Sequence, residues 1–352
     1  MDFNPSSVAR VCVRSTNWLG DAVMSLPAIR AIRNVLPHAG LGLVARPGLA
    51  DLFARESAVD RVIPYPAPSN FAARRAFAAE LREQKFDCAI LLQNAFDAAL
   101  IAWMAAIPER IGYGRDGRRL LLTRAIPVPE PGDIPRHERF YYLELLRCAG
   151  IIDRFPACDA IALENVEAAR RSGGEHLRAL GIAEPVIGIS PGAAYGNAKR
   201  WMSERFAECG RALRPADGTV LVFGSAAERE LAETVARAIP GARNLAGQTT
   251  LREFIDLVAC CRLFLCNDSG AMHVASALGV PTIAVFGATD DVTTGPTGSH
   301  ALVVREHAEC SPCLLRECPI DHRCMARVTA ERVIEAAGKL CADPALRDNP
   351  VR

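Results

Sequence analysis

The sequence has no apolar run that approaches the roughly 20 residues needed to span a bilayer. Its amino end lacks a basic segment followed by an apolar core, so secretion through a signal peptide is not expected. The 41 Lys and Arg residues are balanced by 40 Asp and Glu residues, which leaves no basic field to attract nucleic acid. Only 6% of residues are aromatic and 50% are hydrophobic, as is typical of an α/β protein. These absences predict a cytoplasmic protein.

Signals for a bound metal are weak. The sequence contains no Asp-x-Asp pair, and cysteines such as Cys12 and Cys266 occur in apolar runs as small buried side chains. Four further thiols could hold Zn²⁺ or an iron–sulfur cluster: Cys310, Cys313, Cys318 and Cys324. Their spacing matches neither a zinc ribbon nor a ferredoxin, so a loop of reduced or incidentally oxidised thiols is the preferred alternative.

Alternating apolar runs and helical periodicities form two βαβ series. The predicted strands are Val8–Arg14, Leu41–Ala45, Arg61–Pro64, Cys88–Leu92, Val186–Ser190, Thr219–Phe223, Leu263–Cys266 and Thr282–Phe286. We therefore predict an α/β protein with two Rossmann-like, doubly wound parallel-sheet domains, residues 1–165 and 186–327, facing a central cleft. Residues 166–185 are interpreted as a linker, and 328–352 as a terminal helix and tail. Pro27 predicts a kink, or the true first turn, in the helical stretch Ala22–Leu36.

A polar elbow interrupts the second series between two apolar runs. Asp268, Ser269 and Gly270 end a strand and begin a helix that carries His273 one turn later. Backbone N–H groups at such a helix start favour a phosphate. There are two alternatives. Asp268 or Ser269 could act only as a helix cap, and His273 could act only as a core residue.

The loop Ser190–Trp201 also joins a strand to a helix. It has neither Gly-Lys-Ser/Thr nor the GxGxxG pattern, but Gly192 and Ala193 leave backbone amides open. Lys199 and Arg200 place positive charge at a helix start, against the helix dipole, and a ligand diphosphate would resolve that conflict. In the next such loop, Glu228 could accept hydrogen bonds from a ribose or simply suit the dipole of its helix.

The first series ends its first strand with a polar loop that contains Asn17, Trp18 and Asp21. Asp21 is either a helix cap or a general base, a role that requires hydrogen-bond reach of an attacking hydroxyl. Further on, five arginines surround glycines and suit carboxylate or phosphate recognition: Arg110, Arg115, Arg118, Arg119 and Arg124. A solvated charged surface is the alternative for these arginines.

Taken together, these motifs resemble the bacterial lipopolysaccharide heptosyltransferases along almost the whole chain. The matching segments are Trp18–Asp21, Ser190–Ala193, Ala198–Trp201, Phe223–Ser225, Asn244–Gly247 and Asn267–Ala275. The resemblance implies a GT-B fold and inverting transfer of heptose from ADP-heptose to the Kdo- and heptose-bearing lipid A acceptor. Ala193 and Ala194 stand where the branch that adds the first heptose has Thr-Thr, which favours the branch that adds the second.

The resemblance also implies roles for individual residues. Asp21 resembles the base, Lys199 the diphosphate-binding lysine and Glu228 the ribose contact. The donor set is Gly192, Ala193, Lys199, Arg200, Glu228, Asp268, Ser269, Gly270 and His273, and the acceptor set is Asn17, Trp18, Arg115, Arg118 and Arg119. No metal or other cofactor is required, and a lipid-linked acceptor implies transient contact with the inner face of the inner membrane. The oligomeric state is not predicted.

Three alternatives remain from the sequence. Another GT-B enzyme could use the same loops, either as the first-heptose transferase, a UDP-sugar transferase or an epimerase. An NAD-dependent oxidoreductase would share the doubly wound pattern. A sugar-nucleotide binding protein without catalysis would keep the donor loops and have no use for Asp21 as a base.

Overall fold

The structure is a computed structural model that describes residues 3–342. The chain divides into two compact units between Cys158 and Asp159. Each unit contains one six-stranded parallel sheet, as predicted for a doubly wound α/β protein. The predicted tail lies mostly beyond the described residues.

The first unit has strand order β3-β2-β1-β4-β5-β6. Its strands are β1 (Arg10–Arg14), β2 (Gly40–Ala45), β3 (Arg61–Pro64), β4 (Cys88–Leu91), β5 (Glu109–Tyr113) and β6 (Arg124–Ile126). Its helices are α1 (Leu19–Met24), α2 (Leu26–Val35), α3 (Ala50–Phe53), α4 (Phe71–Glu83), α5 (Phe96–Met104) and α6 (Arg139–Cys148). α2 packs beside α6, and α4 beside α5. The α4–α5 pair buries Phe77, Leu81 and Ile101 against one face of the sheet.

Pro27 marks the start of a separate helix. The predicted stretch Ala22–Leu36 is divided at Ser25, and Pro27 lies in the first turn of α2. Proline suits that position because the N–H it lacks would have no helical partner there. The alternative that placed Pro27 in a true first turn is therefore confirmed.

The second unit has strand order β12-β11-β10-β7-β8-β9, which follows the same connectivity as the first. Its strands are β7 (Val186–Ser190), β8 (Thr219–Val222), β9 (Arg243–Asn244), β10 (Cys261–Asn267), β11 (Thr282–Val285) and β12 (Ala301–Val304). Its helices are α7 (Val166–Ala179), α8 (Ser203–Leu213), α9 (Arg229–Arg237), α10 (Leu251–Ala259), α11 (Gly270–Ala277), α12 (Asp291–Thr294), α13 (Arg323–Ala326) and α14 (Ala330–Ala342).

The segment interpreted as a linker packs within the second unit. α7 lies against α10 so closely that a Cβ at Gly173 would lie 2.1 Å from the Asp256 carbonyl oxygen. The boundary between the units therefore precedes this helix.

Each sheet has one point where the chain order reverses direction. It lies between β1 and β4 in the first unit and between β7 and β10 in the second. In doubly wound sheets, ligands bind beyond the carboxyl ends of the strands at this point. The predicted loop that contains Asp21 follows β1. The loop of residues 190–201, called the lysine loop, follows β7, and the polar elbow of residues 268–270 follows β10.

Candidate active site

In the second unit, one buried side chain joins the two loops at the reversal point. Asn267, the last residue of β10, donates from Nδ2 to the Pro191 carbonyl oxygen at 2.8 Å. Its Oδ1 accepts from the Trp201 backbone N–H at 3.0 Å. Asn267 therefore fixes both ends of the lysine loop, a positioning role that the sequence pattern alone did not indicate.

Lys199 and Asp268 form a nearly buried ion pair. The Lys199 Nζ lies 2.6 Å from Asp268 Oδ2, and the Thr289 hydroxyl donates to the same oxygen at 2.6 Å. The two charged side chains are 14% and 5% exposed. An ammonium group has three N–H donors, so this pairing leaves Lys199 donors for a ligand anion. Asp268 thus positions Lys199, and Thr289 joins the site although sequence reasoning missed it.

Ser269 is the residue directly before α11, and its side chain does not cap the helix. Its backbone is extended, its side chain makes no cap hydrogen bond, and its Oγ is buried without a hydrogen-bond partner. The alternative in which the Ser269 side chain serves as a helix cap is therefore wrong. A buried hydroxyl without a partner costs free energy, and an anion at this helix start would supply the missing acceptor.

Gly192 is required by the side chain that lies against it. A Cβ at Gly192 would lie 2.1 Å from Glu228 Oε1, so only glycine fits while Glu228 keeps this position. The other oxygen of Glu228 accepts from the backbone N–H and the hydroxyl of Ser225, both at 2.8 Å. These bonds hold the carboxylate against the lysine loop.

The remaining donor-side residues differ in exposure. Ala193 and His273 are buried, and His273 lies in the first turn of α11. Arg200 Nη2 lies 3.5 Å from the Ala193 carbonyl oxygen, and its Nε is buried without a partner. Gly270 opens α11, where backbone N–H groups have no helical acceptor.

The cysteine-containing segment packs on the lysine loop. The Arg316 carbonyl oxygen would lie 2.0 Å from a Cβ at Gly196, and it accepts from the Ala198 N–H at 3.1 Å. The Tyr195 hydroxyl donates to the Leu314 carbonyl oxygen, and its ring lies 4.9 Å from Lys199 Nζ. This segment therefore supports the loop that carries Lys199.

The four cysteines lie near one another: the pKa of the Cys324 thiol is raised mainly by burial and also by Cys310, Cys313 and Cys318. Cys310 is exposed, Cys313 and Cys318 are half-buried, and Cys324 is buried. Within residues 3–342, no three His, Cys, Asp or Glu side chains are grouped as metal ligands. The backbone contacts of this segment indicate a structural role.

In the first unit, the reversal point carries two carboxylates. Asp21 lies half-buried in the first turn of α1. The pKa of Glu138 is raised to about 7, mainly by burial and also by the negative charge of Asp21, while Arg115 opposes the change. Sequence reasoning missed Glu138 because it lies far along the chain, immediately before α6.

The side chain of Asn17 accepts a hydrogen bond from a residue of the preceding strand. Arg14 Nη2 donates to Asn17 Oδ1 at 2.9 Å, and the Arg14 guanidinium lies 4.2 Å from the centre of the Tyr65 ring. Burial lowers the pKa of Arg14 to about 10. Trp18, the N-cap residue of α1, remains half exposed.

The five arginines between residues 110 and 124 do not form a single surface. Arg118 is fully buried and donates from Nε to the Tyr113 carbonyl oxygen at 2.8 Å and from Nη2 to Asn94 Oδ1 at 3.0 Å. The prediction that it is available to an acceptor is corrected, because these bonds fill an interior position. Arg115 and Arg119 are exposed, and Arg115 contacts Tyr141.

This region also contains a GxGxxG spacing at Gly112, Gly114 and Gly117. It follows β5 but leads into a short 3-10 helix, Arg119–Leu121, instead of an α-helix. A dinucleotide-binding fingerprint needs an α-helix N-terminus at this place. The spacing therefore gives no support to an oxidoreductase.

Several known proteins are similar to this chain in sequence and in fold. The family model of glycosyltransferase family 9 (heptosyltransferase) matches residues 74–323. Lipopolysaccharide heptosyltransferase 2 of Escherichia coli (strain K12) is 31% identical over 307 residues, covering 84% of this chain and 88% of that protein. Lipooligosaccharide heptosyltransferase 2 of Haemophilus influenzae is 30% identical over 314 residues, with the same coverage.

A solved structure gives the same result. The Escherichia coli ADP-heptose lps heptosyltransferase II is similar with a TM-score of 0.80 and 28% identity. The match covers 94% of this chain and 98% of that chain. Together with the two parallel six-stranded sheets, it confirms the predicted GT-B fold class.

Proposed function

This chain belongs to glycosyltransferase family 9, the heptosyltransferases, and from that premise we propose that it transfers L-glycero-D-manno-heptose from ADP-heptose to the first heptose of the lipid A-linked lipopolysaccharide inner core. The names of its relatives support this acceptor. The observation that carries the proposal is the Lys199–Asp268–Thr289 group beside the unpartnered Ser269 hydroxyl. A cation held at a helix start suits the diphosphate of a nucleotide sugar.

The second unit stabilises the leaving group. As the bond between the anomeric carbon and ADP breaks, negative charge grows on the diphosphate. Lys199 lies near this charge, held by Asp268, and Ser269 and the first N–H groups of α11 donate to it. Such fixed donors typically supply the largest part of a rate enhancement. No metal is needed in this scheme.

The first unit supplies the base. The acceptor hydroxyl attacks the anomeric carbon from the side opposite ADP, and Asp21 takes its proton. One displacement therefore inverts the configuration at that carbon. Arg115 and Arg119 remain exposed for anionic groups of the acceptor, whereas Arg118 supports the loop that carries them. Trp18 is exposed beside Asp21 and is the candidate contact for an acceptor sugar ring.

The proposed heptose transfer takes place at a membrane because the acceptor is lipid-linked. Within residues 3–342, none of the helices has the length and apolar character to cross a bilayer. We place the protein in the cytoplasm, in transient contact with the inner face of the inner membrane.

The test is a transfer assay with purified protein. ADP-heptose, UDP-sugars and NAD are each offered with a heptosylated lipid A acceptor and with one that lacks heptose. Turnover is expected only with ADP-heptose and the heptosylated acceptor. Turnover with a UDP-sugar alone contradicts the proposal, and transfer only to the heptose-free acceptor assigns the chain to the first-heptose reaction instead.

A further inference from the structure

One face of the first unit is built from two helices that run side by side. Near their starts, Arg74 Nε lies 2.5 Å from Asp97 Oδ1, and near their ends Arg82 donates to the Met104 carbonyl oxygen at 2.5 Å. α4 and α5 are therefore parallel, with their first residues, Phe71 and Phe96, at the same end.

Large apolar side chains on this pair of helices point to solvent. Phe71 is 64% exposed, Phe96 46% and Trp103 52%. Phe96, the half-buried Leu100 and Trp103 are spaced by four and three residues, so they form one stripe along α5. In a chain with only 6% aromatic residues, this grouping is not explained by abundance.

A turn that contacts α5 adds a further exposed apolar side chain. The 3-10 helix Arg119–Leu121 contacts α5 and carries Leu120, which is 94% exposed. Phe71, Phe96, Leu100, Trp103 and Leu120 together are called the α4–α5 face. Several large apolar side chains exposed on neighbouring elements are typical of an interaction surface.

The charges around the α4–α5 face are mainly positive. Four exposed basic residues lie on its elements or directly after them, and two exposed acidic residues accompany them: Arg75, Arg82, Lys85 and Arg119, against Glu80 and Glu83. The charge of Asp97 is balanced by Arg74, and Tyr65 donates a hydrogen bond to the same carboxylate. The face therefore combines apolar side chains with a cationic surround.

We propose that the α4–α5 face docks on the surface of an anionic phospholipid bilayer. The inference rests on the proposed function, because a lipid-linked acceptor lies in such a surface. Trp and Phe side chains enter the interfacial region of a bilayer, and Arg and Lys place their charges among the headgroups. A second copy of the chain fits less well, because a two-fold contact would oppose the same cationic surround on both copies.

The test measures binding of the full chain to vesicles by flotation. Phosphatidylethanolamine–phosphatidylglycerol vesicles should bind the protein, and phosphatidylcholine vesicles should bind it more weakly. The double variant Phe96→Ser/Trp103→Ser should lower the partition coefficient on anionic vesicles by about tenfold or more. Leu180→Ser/Val292→Ser, which changes two exposed apolar residues of the second unit, is the matched control and should bind as the unaltered protein does.

A second pair of variants tests the charge. Arg75→Gln/Lys85→Gln should weaken binding to anionic vesicles by about fivefold per cation and leave binding to phosphatidylcholine unchanged. Trp103 should also report contact directly, since its fluorescence should shift to shorter wavelength on the vesicles and a Trp103→Phe variant should lose that shift.

Several results would overturn the proposal: no binding to anionic vesicles, unchanged binding by the Phe96→Ser/Trp103→Ser variant, or a dimer in solution that this variant dissociates. Transfer to a deacylated, water-soluble acceptor separates the two proposals, because the double variant should retain that activity. Vesicle binding without any heptose transfer would refute the proposed function and leave the docking surface intact.

Discussion

The two units have the same strand order but different charged groups at the point where each sheet reverses direction. The second unit places a lysine there, held by Asp268 and Thr289 beside an unpartnered hydroxyl. The first unit places Asp21 and Glu138 there, close enough for the charge of Asp21 to raise the pKa of Glu138. The fold thus supplies the location twice, and the loop residues decide which charged groups stand there. In the proposed function, one location binds an anion and the other accepts a proton.

The largest effect should come from the carboxylate of the first unit. Asp21→Asn should lower the transfer rate by about 10²–10⁴-fold while ADP-heptose binding is retained, since removal of a general base affects only the proton transfer. Single-turnover kinetics and calorimetry measure the two quantities. Asp153→Asn, an exposed carboxylate of the same unit, is the control. A normal rate in Asp21→Asn would remove Asp21 from this role.

Replacement of Lys199 in the second unit should have the second-largest effect. Lys199→Gln should lower the rate by about 10²–10³-fold because the leaving diphosphate loses its fixed donor. Thr289→Val should have a smaller effect, since the ion pair with Asp268 remains. Lys339→Gln, which breaks an exposed ion pair on α14, is the control. If Lys199→Gln changes only thermal stability, the ion pair is structural.

The arginines of the first unit should divide into two classes. Arg118→Met should lower the free energy of unfolding by about 1–3 kcal/mol, because it leaves buried acceptors without donors. Arg115→Gln should leave stability unchanged and raise the acceptor KM. Denaturant unfolding and steady-state kinetics distinguish the two. A normal stability for Arg118→Met would contradict the interior position assigned to this side chain.

Gly192 and Glu228 should be energetically coupled in donor binding. A Cβ at residue 192 displaces the Glu228 carboxylate, so Gly192→Ala and Glu228→Ala should weaken ADP-heptose binding by similar factors. The double variant should bind no more weakly than either single variant. Additive losses, measured by calorimetry, would show that the two residues act separately.

The smallest effect concerns pH and the first unit alone. Burial and the charge of Asp21 raise the folded-state pKa of Glu138 from 4.5 to about 7. This group therefore stabilises the fold fully below pH 4.5, and its contribution is lost as the pH rises from 4.5 through about 7. The unfolding free energy of the unaltered protein should therefore fall across this range more than that of Glu138→Gln. Equal slopes would show that Glu138 is not protonated in the fold.

The sequence predicted the apolar strands that occur in both parallel sheets. Strands β1 to β4 and the central strands of the second sheet are apolar runs, and their ends could be read because polar loops follow them. β5, β6, β9 and β12 were missed. Glu109–Tyr113, Arg124–Ile126 and Arg243–Asn244 each carry charge, which hides them from a search for apolar runs.

The site was predictable where its residues are neighbours in the chain. Asp268 and Ser269 lie directly after one strand, and Lys199 lies in the loop that follows another. Thr289 and Glu138 were not predictable, because their roles depend on packing between distant segments. Arg118 was misjudged because composition cannot separate a buried arginine from an exposed one.

The contact between Gly192 and Glu228 also bears on how the family can vary. A side chain at residue 192 is compatible with the observed loop only if the carboxylate at residue 228 is absent or turned away. The two positions should therefore covary: relatives that keep glutamate at 228 should keep glycine at 192. An aligned set of relatives in which larger residues at 192 accompany glutamate at 228 would show that this loop has a second stable arrangement.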